Sequence, residues 1–148
     1  MKRLITLLIF LIWFSFSSGK EIDIYVVVGK ETDIKVSCED IKHIYLKEII
    51  FINGIKMIPV NLPANSTIRK YFRKYVLGMD EEEISLYWNE KYYEGITPPL
   101  VLKSQKAVKE FLKKVKGSIG YITKKYLDKD LKILCVIRLN HGKNFNNR

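Results

Sequence analysis

Residues 57–67 read as a strand that turns through a proline and the polar triplet Asn65-Ser66-Thr67 straight into a helix over residues 68–77. A strand feeding a helix this directly points to a sheet layered by helices. The first turn of such a helix has backbone N–H groups without intrahelical partners and carries the positive end of the helix dipole, so it can cradle an anion. The triplet reads first, however, as a helix cap, because Asn65, Ser66 or Thr67 can each accept from one of those N–H groups.

The rest of the chain keeps the alternation. Residues 22–28 are β-rich and nearly all apolar after Asp23, which predicts a strand covered on both faces, as parallel strands usually are. Ser37 is placed to cap a short helix ending near Tyr45, with Ile41, Ile44 and Tyr45 inward. Residues 49–52 and 56–60 flank Asn53-Gly54, a strong hairpin signal. In the helix over 68–77, Ile68, Tyr71, Phe72, Tyr75 and Val76 share one face, and Arg69, Lys70, Arg73 and Lys74 the other. Gly78 stops it, and Asp80 with Glu83 forms a capping-box start for a second helix with Ile84, Tyr87, Trp88 and Tyr92 inward. After Pro98-Pro99 and an extended stretch, Ser104 caps a third helix that buries Ala107, Val108, Phe111, Leu112 and Val115. Residues 119–122 and 131–139 read as strands.

The N-terminus bounds the setting. Lys2-Arg3, an apolar run over residues 4–16 and Ser17-Ser18-Gly19 follow the layout of a secretory signal peptide, residues 1–19. That predicts a periplasmic or secreted protein, with anchoring through an uncleaved N-terminal segment as the alternative. The remainder divides into one α/β domain over residues 20–139 and a polar tail over 140–148. The net charge of +10 becomes +8 without Lys2 and Arg3. For an exported chain this favours anionic solutes, lipid head groups or wall polymers over nucleic acid, although lysines also serve plain solubility. Cys38 and Cys135 are the only cysteines. An oxidising compartment permits a disulfide between them, and only tertiary proximity decides it.

The order of Asn65-Ser66-Thr67, Tyr71-Phe72, Val76-Leu77-Gly78-Met79, Tyr87-Trp88, Gly95, Pro98-Pro99 and Gly117-Ser118-Ile119-Gly120-Tyr121 resembles the phosphate-type substrate-binding proteins of ABC importers, in a short, single-lobe version. The resemblance runs from about Ile24 to Ile137. It implies a periplasmic-binding-protein-like (type II) lobe, an α/β fold with a mixed sheet flanked by helices. In that family two lobes close over a tetrahedral oxyanion, gripped partly by a Ser-Gly-Thr-type turn at a helix N-terminus. The resemblance places that turn at Asn65-Ser66-Thr67: Thr67 keeps a hydroxyl, Asn65 offers an amide, and Ser66 stands where glycine would let backbone approach an anion. The family's phosphate-gripping arginine falls at Asn61, which removes a forked guanidinium. Arg69 is the candidate replacement, although its basic helix face reads more simply as solvated.

The implied function is solute binding, of phosphate or another oxyanion, for the membrane subunits of an ABC importer. The alternative is an envelope protein that keeps the lobe and binds another envelope protein instead. No enzyme, cofactor or metal is expected. His43 and His141 are the only histidines and neither has a nucleophile and orienter nearby in sequence. The acidic run Asp80-Glu81-Glu82-Glu83 suits the dipole at a helix start better than a metal. Nucleic acid is not expected, because the aromatic residues fall on inward positions instead of interleaving with the lysines.

Overall fold

The computed structural model describes residues 22–139; the predicted signal peptide and polar tail lie outside them. The chain forms β1 (Ile22–Gly29), α1 (Cys38–Tyr45), β2 (Phe51–Ile52), β3 (Ile55–Lys56), β4 (Ile58–Asn61) and α2 (Thr67–Phe72), which runs into a π turn over Arg73–Leu77. It continues with α3 (Glu81–Tyr93), β5 (Leu100–Val101), α4 (Gln105–Lys114), β6 (Ser118–Ile122), a 3-10 turn over Lys124–Tyr126, and β7 (Leu131–Leu139).

Five strands make one mixed sheet in the order β5-β4-β6-β1-β7, and β2 with β3 forms a separate hairpin. Strand β4 runs parallel to both β5 and β6. Strand β1 is covered on both faces, as its apolar run predicts, but it is antiparallel to both β6 and β7. Burial on two faces comes from helices above and below a strand, whichever way its neighbours run, so an apolar run cannot report direction.

The pleat divides the core cleanly. Val26, paired with Tyr121 on β6 and Cys135 on β7, faces the side of α1 and α2. There Phe72 stacks on Tyr121 with ring centroids 4.0 Å apart and lies 4.6 Å from Tyr45. The Tyr45 hydroxyl donates to the Val60 carbonyl at 2.9 Å, so burying this tyrosine leaves no orphaned polar group. Gly120 faces the opposite side, where a Cβ would lie 2.6 Å from Val108 of α4; the missing side chain lets that helix settle on the sheet.

Caps match the sequence reading. Ser37 and Asp40 form a capping box at α1, as do Asp80 and Glu83 at α3, and the Ser104 hydroxyl accepts from Ala107 N at α4. Asn53 and Gly54 both take positive φ, the backbone of a tight hairpin turn. Cys38 and Cys135 are bonded, tying α1 to the outermost strand.

Three side-chain assignments are corrected. Tyr92, expected inward on α3, is 73% exposed, because that helix lies on the surface and buries no residue fully. Arg73, expected on a solvated face, has a side chain only 20% exposed. Arg73 follows Arg69 by one regular turn, its N–H bonding to the Arg69 carbonyl, so it shares the half-buried side of Arg69; beyond it the helix widens, the Gly78 N–H bonding back to the Arg73 carbonyl. That extra residue rotates the last turn, burying Leu77 and leaving Tyr75 37% exposed.

Candidate functional site

The strand-to-helix turn sits at the C-terminal end of β4, beside the core tyrosines. Asn61, the last residue of β4, accepts from the Tyr121 hydroxyl through Oδ1 at 2.7 Å, and that hydroxyl in turn accepts from Leu62 N at 3.3 Å. Burial holds the Tyr121 hydroxyl protonated far above the ordinary tyrosine range, opposed by the Leu62 N–H and the Arg69 charge. It is therefore a permanent donor that fixes the Asn61 amide.

Pro63 turns the chain, with Ser66 N donating to its carbonyl at 2.9 Å. Ser66 is the N-cap of α2, its hydroxyl accepting from Arg69 N at 3.3 Å. The cap function read from the triplet thus falls on Ser66, while Asn65 and Thr67 are exposed on either side of it. Arg69 is half-buried, and its Nη1 donates to the Leu62 carbonyl at 2.8 Å, bracing the turn it follows. This replaces the solvated-face reading: one helical turn brings Arg69 back over the loop.

Behind the turn lies a small cavity of about 60 Å³. Asn61 and Arg69 help line it, together with Arg73, Trp88 and Pro99, whereas Asn65, Ser66 and Thr67 stand outside its lining. Glu81 is also in the wall, with a carboxylate oxygen 3.4 Å from Arg73 Nη1 and a side chain 73% exposed. The Nε of Arg73 is buried and has no hydrogen-bond partner. Two guanidinium groups against one carboxylate leave the cavity with a net positive wall. Sequence reasoning missed Arg73 and Trp88. The i, i+4 spacing of Arg69 and Arg73 was the signal for the former; nothing short of the fold brings Trp88 of α3 across.

A second, open groove of about 950 Å³ follows β7 past the disulfide, between Val36, Ile41, Ile133 and Val136, and includes none of the predicted site residues. His43 pairs with Glu48 on the surface. Among the described residues no cluster suited to a metal ion occurs and no helix is long and apolar enough to cross a membrane.

No protein-family model and no curated protein sequence matches the chain. Solved structures do. An ABC-type phosphate transport receptor from Vibrio cholerae is similar with a TM-score of 0.63 and 21% identity, over 77% of this chain and 46% of that one. A substrate-binding protein of a phosphate ABC transporter from Clostridium perfringens, solved with bound phosphate, gives 0.62 and 20% over 77% and 44%. PstS from Borrelia burgdorferi gives 0.58 and 20% over 77% and 47%. This chain thus spans less than half the length of each of them. The receptor-like resemblance read from the sequence is borne out at the level of architecture, and the chain has the fold of a single lobe of a phosphate-type substrate-binding protein.

Proposed function

We propose that this protein is an exported solute-binding component that holds phosphate or another oxyanion at the turn between β4 and α2 and presents it to the membrane subunits of an ABC importer. The observation that carries this reading is the coincidence, at one end of β4, of the helix-capping turn and the positively charged cavity containing Asn61, Arg69 and Arg73. Asn61 and Arg69 donate from the cavity wall, and the first turn of α2 around Asn65, Ser66 and Thr67 donates from outside that lining. A ligand of the native state raises stability by mass action. Millimolar phosphate should therefore raise the unfolding midpoint of the purified protein, while chloride at equal ionic strength should not. Thr67→Ala and Ser66→Ala should reduce the rise; equal protection of parent and both variants would remove the turn from the site.

A second reading, an envelope module that binds another protein, draws on one observation. Helix α3 exposes Leu86, Tyr92 and Tyr93, the last at 90%, beside the cavity wall that Trp88 supplies. Aromatic residues so exposed are typical of docking surfaces. This reading predicts no phosphate shift and a crosslinked partner lost in Tyr93→Ser.

A further inference from the structure

We infer that Arg73, together with Arg69, forms the guanidinium seat for one small tetrahedral oxyanion inside the cavity behind the strand-to-helix turn. The seat rests on the solute-binding reading above, and it moves the forked grip from the position before the triplet to the second turn of the following helix.

Four observations converge on it. Arg73 Nε is buried without a partner, and a charged donor in that state is costly enough that native structures almost always complete it. The wall has two cations and one anion, and the anion is badly placed to satisfy Nε: Glu81 reaches only Nη1, at 3.4 Å, from a mostly solvated position. Asn61 commits Oδ1 to Tyr121, which leaves Nδ2 as the group its amide offers the cavity. The volume of about 60 Å³ suits one compact ion, on the scale of about two waters.

Helix geometry brings the two arginines together. Arg73 lies one regular turn after Arg69, its N–H bonding to the Arg69 carbonyl, and the π turn that follows buries Leu77 against the same cavity. The apolar walls supplied by Phe72, Leu77, Ile84 and Pro99 limit solvent around the guanidinium, which strengthens its attraction for an anion. Arginine suits this task because a guanidinium can offer two parallel donors to two oxygens of a tetrahedral ion, a geometry lysine cannot reproduce.

The test is a phosphate titration of the ¹⁵N-labelled full chain, followed through arginine Nε–H resonances, with Arg73→Lys in parallel. The expected result is a saturable shift of the Arg73 Nε–H signal, and at least a tenfold loss of phosphate affinity in Arg73→Lys with an otherwise superposable backbone spectrum. If phosphate shifts backbone amides at Asn65–Thr67 while the Arg73 signal stays still and Arg73→Lys retains parental affinity, the seat is refuted and the solute-binding reading stands. If neither phosphate nor sulfate moves any resonance of the parent, both fall together. Should Arg73→Lys fail to fold, the parent titration alone decides.

Discussion

Tyr121 shows how one buried hydroxyl organises the candidate site. It donates to Asn61 and accepts from Leu62 N, so a single side chain satisfies the residue that ends β4 and the one that begins the turn. Tyr121→Phe keeps the stack on Phe72 but orphans both partners. It should cost about 1–3 kcal/mol in denaturant unfolding, on the usual scale for an unsatisfied buried group. Ser66→Ala removes the cap of α2 and should cost about 1 kcal/mol in the ligand-free protein. The contrast separates the two classes of residue that the sequence presents alike. Ser66 was readable as a cap because capping is local chemistry. The link from Asn61 to Tyr121 crosses 60 positions and was invisible until the strands paired. Arg73 lay between these cases: its spacing from Arg69 was plain, but only the fold shows that this side of the helix meets a cavity.

At the scale of elements, local signals placed most boundaries, while strand direction depended on long-range pairing. The Ser37 cap at α1, the capping box at α3, the Asn53-Gly54 turn and the glycine stops are all short-range and all legible. Strand β1 is the instructive failure, since its apolar run fits a central strand in either orientation. Its last residue also sets a tolerance. A Cβ at Gly29 would lie 2.1 Å from the Leu112 carbonyl of α4, a backbone atom that cannot rotate away. Gly29→Ala should therefore lower stability by about 1–3 kcal/mol, as overpacking does, measured by the shift in denaturant midpoint. The disulfide between α1 and β7 closes a sequence separation of 97 residues. Its reduction should cost about 2–4 kcal/mol, read as a lower midpoint in reductant with the far-ultraviolet spectrum retained below the transition.

For the whole molecule, charge pairing stabilises the loop between β6 and β7. Asp128 sits 2.6 Å from Lys113 and 3.4 Å from Lys109 on α4, with Asp130 3.7 Å from Lys113. The Lys113 hydrogen bond holds the Asp128 carboxyl below its ordinary value; the Ser37 backbone N–H does the same for Asp40. A carboxylate whose folded value is depressed contributes stability above its unfolded value, and loses it as pH falls through the folded one. The unfolding midpoint should thus be flat through neutrality and drop below about pH 4. Asp128→Asn should reduce that acid dependence. The paired register supplies one more consequence: Ile22 at the start of β1 lies opposite Leu139 at the end of β7. A short peptide could therefore bridge Ile22 and Leu139, and new ends opened within the Asn53-Gly54 turn would yield a circular permutant of residues 22–139 that keeps the five-stranded sheet.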